Sequence, residues 1–360
     1  MSDIVKHQRV KLHRGDRVAI VSLSDGRLNQ EFQIRKLEEN LEELGLELFF
    51  PENARKSYNV LKGVEGAYLR AQDLKQVFAD KQIKAVFAAI GGTDTYLTLP
   101  YLLNDSEFIS SVKNSSLIFS GYSDTTTNHL MFYKLGLLTI YGPNGLSDLA
   151  ELNGGILQYT KDWIEVLFSD VSIRQIQQSE KWYEERTAFT EEQLGIPRVS
   201  HVECRGFDVL QGTGLVSGKL LGGCIETLTD MCSPQNNPES YTICQKFGVF
   251  PSADEWDSKV VFIESSAAVF DSVKLYELLK ILDEAGVFAN SAAVIVGKPQ
   301  DKFCYFDFRE CIKKFFLQSH LKNVPVIGNI PFGHGFPKCM LPYGGIANID
   351  FDKGTIFVEL

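Results

Sequence analysis

The chain has 360 residues, more than one compact core usually holds, so two domains are expected. Hydrophobic residues make up 44% and charged residues 23%, an ordinary globular composition that excludes a mainly disordered chain. With 36 basic against 46 acidic side chains the net charge is −10, which argues against a nucleic-acid backbone or an anionic membrane as partner.

Arg70 and the pair Lys313-Lys314 stand alone and read as solvated surface. Met1 to Arg17 is polar, without the apolar core of a secretory signal, and no stretch approaches the roughly 20 apolar residues of a membrane helix. The seven cysteines lie between Cys204 and Cys339 without CxxC spacing. Free thiols in a reducing cytoplasm are expected, with no metal site and no cofactor.

The first half alternates strand and helix. Arg17 to Ser22 is a short apolar run of strand length, and Gln30 to Leu44 places Phe32, Ile34, Leu37, Leu41 and Leu44 at helical spacing before Gly45. Leu46 to Phe50 reads as a second strand and Ala67 to Asp80 as a helix. Lys84 to Ile90 is a third strand, ended by Gly91-Gly92, and Ser116 to Ser120 a fourth, ended by Gly121. A helix over Thr125 to Leu135 and a strand over Leu138 to Tyr141 complete the series. Such alternation predicts an α/β fold with a parallel sheet and right-handed crossovers, whose ligands gather at the carboxyl ends of the strands. The loops 22–27, 91–94 and 121–124 all lie at such ends.

Residues 170–211 are polar and lack clear periodicity, and read as a connector or lid containing Trp182. From Gly212 strands and turns dominate. Strands are expected at 214–221, 259–263, 292–296, 324–327 and 355–359, and helices at 272–286 and 306–318. The expected organisation is therefore 1–169, 170–211 and 212–360.

The strongest local signal is Phe119-Ser-Gly-Tyr-Ser-Asp-Thr-Thr126, a strand, a tight turn with Ser123, and a helix. That is the form of a nucleophile elbow, except that Thr125 stands where a second glycine is usual. Ser123 as helix N-cap and Asp124 as first-turn acid remain an open alternative. A serine nucleophile needs a base, and among six histidines His334 is distinct, flanked by glycines in Pro331-Phe-Gly-His-Gly-Phe-Pro337. His129 lies inside the helix after Ser123 and reads as packed or solvated. Glu264, at the end of the apolar run Val260–Ile263, is the candidate to orient the histidine, and a strand exit to solvent is the other reading. The Gly91-Gly92 loop and Asp124 could offer backbone N–H groups to an oxyanion, or form a plain tight turn.

Taken together, Gly121-Tyr-Ser-Asp-Thr-Thr, Gly91-Gly92, Gly218-Lys-Leu-Leu-Gly-Gly223, Phe262-Ile-Glu264 and Gly333-His-Gly335 resemble the LD-carboxypeptidase family of serine peptidases. The resemblance runs in order from about Arg14 to Leu360, and Arg70-Ala-Gln-Asp-Leu74 also fits it. The loop Gly91-Gly-Thr-Asp-Thr-Tyr-Leu-Thr-Leu-Pro-Tyr101 and the insertion around Trp182 resemble the microcin C immunity branch. The resemblance implies a Rossmann-like first domain, a smaller β-rich α/β second domain, a site between them and a homodimer. It implies Ser123 as nucleophile, His334 as base and acid, Glu264 as orienting acid, and Gly92 and Asp124 as oxyanion donors. The substrate it implies is peptide-like, a peptidyl or aminoacyl nucleotide whose base Trp182 could stack on. A murein LD-carboxypeptidase releasing terminal D-alanine is the alternative, and a non-catalytic binding module the alternative of another class. Two positions depart from the family's common pattern: Cys224 stands where asparagine is usual in Gly-Gly-Asn-Leu, and Ser265 where aspartate is usual in Ile-Glu-Asp.

Overall fold

The computed structural model describes residues 11–267, 270–300 and 302–360. In the first half, strands β1 (Arg17–Val21), β2 (Glu47–Phe49), β3 (Ile83–Ala88), β4 (Ile118–Gly121) and β5 (Thr139–Tyr141) alternate with helices. The helices are α1 (Glu31–Glu43), α2 (Tyr58–Leu61), α3 (Gly63–Ala79), α4 (Leu99–Leu103), α5 (Ser106–Lys113), α6 (Thr126–Leu135) and α7 (Gln158–Glu165). The strands pair in the order β5-β4-β3-β1-β2, all parallel. Val18 to Val21 and Ala85 to Ala88 are almost wholly buried, as continuous apolar runs in a sheet covered on both faces require.

The remaining strands are β6 (Ile173–Ile176), β7 (Lys181–Tyr183), β8 (Ser200–Val202), β9 (Asp208–Gln211), β10 (Leu215–Cys224), β11 (Val260–Glu264), β12 (Ala293–Gly297), β13 (Val326–Ile330), β14 (Leu341–Tyr343), β15 (Ile346–Asp350) and β16 (Thr355–Glu359). Helices α8 (Ile225–Cys232), α9 (Pro238–Lys246), α10 (Ser272–Glu284) and α11 (Tyr305–Phe316) lie among them. The second sheet runs β6-β16-β15-β10-β11-β12-β13-β9, with a parallel centre from β10 to β13 and antiparallel flanks. The chain is thus a two-domain α/β protein with parallel-rich sheets.

Three features differ from the sequence expectation. The segment 170–211 is not simply a connector: β6 and β9 close the two edges of the second sheet, and only the β7–β8 hairpin stands apart. Its polarity misleads because edge strands and hairpins keep one side in water. Strand β14, from the end of the chain, crosses back and joins the first sheet antiparallel to β5. Arg70 is fully buried in α3 rather than solvated. Among the described residues no helix is long and apolar enough to cross a membrane.

Candidate active site

Strand β4 ends at Gly121, Tyr122 is extended, and Ser123 opens a single 3-10 turn that runs directly into α6. Ser123 has φ of 67°, a left-handed conformation that L-residues adopt at a cost of order 1–3 kcal/mol. No side-chain capping bond comes from it, so the N-cap reading does not describe its hydroxyl. The turn is held by several bonds. Thr126 Oγ1 donates to the Ser123 carbonyl at 2.7 Å, and Asp124 accepts from the Thr95 N–H at 3.0 Å. Burial of Asp124 pushes its carboxyl up to about 6.

His129 serves the same turn from inside α6. It is fully buried, contacts the Gly121 carbonyl through Nε2 at 2.9 Å and Thr139 Oγ1 through Nδ1 at 2.7 Å, and stacks on Tyr343. Burial pulls its pKa down to about 4, so the neutral ring donates to the carbonyl and accepts from the hydroxyl.

Beside the turn runs the loop after β3. A Cβ on Gly91 would lie 2.7 Å from Ser123 Cβ and 2.8 Å from its Oγ, so only glycine fits there. Gly92 has φ of 155°, and its N–H has no acceptor among the described residues. Asp94 fixes this loop, because it binds the buried Arg70 guanidinium at 2.7 Å and accepts from the Gly63 N–H at 3.0 Å. Arg70 also donates to the Leu23 carbonyl at 2.6 Å. A buried charge without a partner is costly, so the pair pins the loop to α3. The isolated position of Arg70 in the sequence carried no signal of that role, and the motif that resembles the family named none for it.

Across from the turn, Glu264 ends β11 with its side chain wholly buried, and His334 sits on the loop after β13, 14% exposed. His334 Nδ1 lies 2.7 Å from Glu264 Oε2, and its backbone N–H donates to the same oxygen at 3.2 Å. Its Nε2 lies 3.1 Å from Ser123 Oγ. With Nδ1–H donated to the carboxylate, Nε2 is left to accept the serine proton. Gly333, at φ of 78°, permits the approach: a Cβ there would come within 2.3 Å of Glu264 Cγ. Burial favours neutral groups on both sides, but each charge stabilises the other. The net result is a Glu264 carboxyl below its usual range and an imidazole above its own.

Tyr141 joins the two sides. Its hydroxyl donates to Glu264 Oε1 at 2.5 Å and accepts the Ser123 backbone N–H at 3.2 Å. In the sequence Tyr141 reads only as the end of a strand, with no local signal of this role.

Ser123, Glu264, His334, Gly92 and Asp124 thus come together at one place, where the first sheet meets the second. Trp182 lies apart from that row, in β7. It is 8% exposed and stacked on His201, with ring centroids 4.0 Å apart. The hairpin itself is anchored. Tyr183 N–H donates to the Phe336 carbonyl at 3.1 Å, two residues beyond His334. Arg186 and Arg198 both bind the buried Glu151 of the first domain, Arg198 Nε at 2.6 Å. The Arg198 guanidinium also lies 3.9 Å from the Phe336 ring centre.

One group of metal-ligating residue types also assembles, which sequence spacing did not foresee. Ligand atoms of Cys224, Glu264 and His334 lie within 4.8 Å of one another. Two of the three already bind each other, and the Cys224 thiol donates to Glu226 Oε2 at 3.1 Å. Burial and the charges of Glu226 and Glu264 raise that thiol's pKa, so it stays protonated and serves as a donor rather than a soft ligand.

A nucleophile-elbow serine under a histidine and a buried carboxylate, between two parallel-rich sheets, defines a serine-type hydrolase of two α/β domains. The chain belongs to the LD-carboxypeptidase family: the family's N-terminal domain matches residues 18–142 and its C-terminal domain residues 217–349. It is 26% identical over 292 residues to the microcin C7 self-immunity protein MccF of Escherichia coli, covering 80% of this chain and 77% of that protein. The structure is similar to that of an MccF-like protein from Streptococcus pneumoniae in complex with AMP, with a TM-score of 0.88 and 34% identity over 96% of this chain and 99% of that one. It also resembles MccF in complex with glutamyl sulfamoyl guanosine, with a TM-score of 0.79 and 22% identity over 98% of each chain.

Proposed function

We propose that this chain hydrolyses an amide bond in an aminoacyl or peptidyl nucleotide through Ser123, His334 and Glu264. Ser123 Oγ attacks the carbonyl carbon while its proton passes to His334 Nε2. The tetrahedral oxyanion is received by the N–H groups of Gly92 and Asp124, in a setting where water does not compete. Collapse of the intermediate breaks the C–N bond, and His334 returns the proton to the departing amine. Water then repeats the sequence, giving up its proton to His334 and releasing the acid and free Ser123. Glu264 holds the ring in the reactive tautomer and stabilises the imidazolium, while Tyr141 keeps the carboxylate in place.

The observation that carries the chemistry is the unbroken row from Ser123 Oγ through His334 to Glu264. The nucleotide part rests on the AMP complex of the Streptococcus pneumoniae relative and on the likeness to the self-immunity protein. In this reading the anchored β7–β8 hairpin brings Trp182 toward the base, and the chain works in the cytoplasm as a homodimer.

The test is turnover of an aminoacyl-sulfamoyl adenosine beside a murein tetrapeptide. We expect release of the amino acid from the first and little D-alanine from the second, with Ser123→Ala lowering turnover by roughly four orders of magnitude or more while the fold melts normally. Preferential release of D-alanine would move the chain to the murein alternative. Activity in Ser123→Ala near a tenth of wild type would remove the serine mechanism, and binding of either compound without any turnover would leave a binding module.

A further inference from the structure

Cys224 and Ser265, far apart in the chain, meet at a single carboxylate. Cys224, at the end of β10, donates its thiol hydrogen to Glu226 Oε2 at 3.1 Å. Ser265, just past Glu264 at the end of β11, donates its hydroxyl to Glu226 Oε1 at 2.6 Å. The backbone N–H of Ser266 adds a third bond, to Oε2 at 3.1 Å. Both side chains are therefore small donors that aim one acidic side chain.

Glu226 opens α8 immediately beyond β10, so it stands at the carboxyl ends of adjacent parallel strands, where α/β sheets bind their ligands. It is partly exposed, and the Cys224 thiol that binds it also lies within 4.8 Å of the ligand atoms of Glu264 and His334. The segment that holds it is locked to the nucleophile turn. Cys224 N–H donates to Thr126 Oγ1 at 3.1 Å, and a Cβ on Gly223 would strike Thr126. Its position is thus fixed relative to Ser123.

Every group bound to Glu226 is neutral. Among the described residues no Lys, Arg or His side chain forms an ion pair with it, unlike Glu151, which binds two arginines, and Asp148, which binds Lys338. Three of roughly four lone-pair directions are filled, which leaves the carboxylate oriented, with one direction open and no cation bound to it. A carboxylate held this way beside a catalytic centre favours a ligand cation, whose charge-assisted hydrogen bond would complete it.

Resting on the proposed amide hydrolysis, we infer that Glu226 is the specificity group that binds an ammonium on the acyl portion of the substrate, the free α-amino group of an aminoacyl nucleotide. Cys224 and Ser265 orient it. The reaction at Ser123 does not require it, so its removal changes which acyl group is accepted rather than whether bonds are broken.

The experiment compares two substrates that differ only in this cation, alanyl-sulfamoyl adenosine and its N-acetylated form, on wild type and Glu226→Gln. Wild type is expected to favour the free amine in kcat/KM by about ten- to a hundredfold, the range of one charge-assisted hydrogen bond. Glu226→Gln is expected to lose that preference through a higher KM for the free amine, while the acetylated substrate is cleaved as before. Ser123→Ala checks that each signal comes from the triad, and labelling of Ser123 by a serine-directed fluorophosphonate checks that Glu226→Gln is folded. Cys224→Ser, which keeps a donor, should retain the preference. Equal rates on both substrates in wild type, or a preference that survives Glu226→Gln, would overturn the inference while leaving the hydrolase reading intact. No cleavage of either substrate by wild type, with Ser123 still labelled, would instead overturn the proposed substrate and this inference with it.

Discussion

The two sides of the active site are built in opposite ways. The nucleophile side is local in its backbone: Gly121, Ser123, Asp124 and Thr126 lie in one strand-turn-helix segment, and the strained conformation of Ser123 is set within it. The base side is assembled from afar. Glu264 and His334 are 70 residues apart, on β11 and on the loop after β13 with β12 between those strands, and meet only because Gly333 lets the loop close on the carboxylate. The difference shows which errors each side tolerates. A local turn is held by backbone conformation, whereas the base side depends on buried charges that must find each other, since an unpaired one is strongly destabilising. Tyr141 couples the two with one hydroxyl, bound to the carboxylate on one side and to the serine backbone on the other.

Breaking the base side has the largest expected effect. Glu264→Gln should lower kcat by roughly 10²–10⁴-fold, because the ring loses both its orienting partner and the stabiliser of its cation. It also moves the pH profile in a defined direction. In the proposed mechanism the base works as neutral imidazole, and in wild type Glu264 holds His334 above its ordinary value, so the acid limb of kcat/KM is expected above that value. Removing the charge releases the imidazole downward, and the limb should shift to lower pH. A limb that stays in place would mean that His334 does not titrate in the profile.

Tyr141→Phe cuts the link and leaves both sides standing. We expect a loss of roughly tenfold to a hundredfold in kcat with KM little changed, because a buried donor to the carboxylate and the acceptor of a buried N–H disappear together. Here the acid limb should move the other way. Without the hydroxyl, more of the carboxylate's charge faces His334, which raises the imidazole further. Opposite shifts in the two variants would separate the charge of Glu264 from its placement, and parallel shifts would refute the coupling role of Tyr141.

The smallest effect belongs to Trp182. In the proposed reading Trp182→Ala should raise KM for a nucleotide-linked substrate by about tenfold, within the 1–3 kcal/mol range of base stacking on an aromatic. The ring is only 8% exposed and packs on His201 in an anchored hairpin, so its melting temperature should also fall by several degrees. A lower melting temperature with unchanged KM would make Trp182 a packing residue alone.

The nucleophile side was legible in the sequence because its elements carry periodic signals. The apolar runs of β1, β3 and β4, the helical spacing of α1 and the glycines closing β3 and β4 read correctly to within a few residues. His334 was legible for a related reason, since glycines on both sides mark a loop that must bend sharply. Less was visible where polar residues do structural work. The short strands β6 and β9 looked like connector because an edge strand with a wet face has no strong pattern, and Arg70 looked like surface because its partner Asp94 is 24 residues away.

By itself the sequence determined the alternation that makes a parallel sheet and the tight turn that lifts Ser123 from its end, since backbone conformation and hydrophobic periodicity act over a few residues. Its ordered motifs, read against a family, supplied the names of the partners. Only the tertiary structure decided that Glu264, His334 and Ser123 lie in one hydrogen-bonded row, that Tyr141 bridges it, and that Cys224 and Ser265 converge on Glu226. Those contacts join residues far apart in the chain, and their strength comes from burial, which no stretch of sequence possesses until the two sheets close over it.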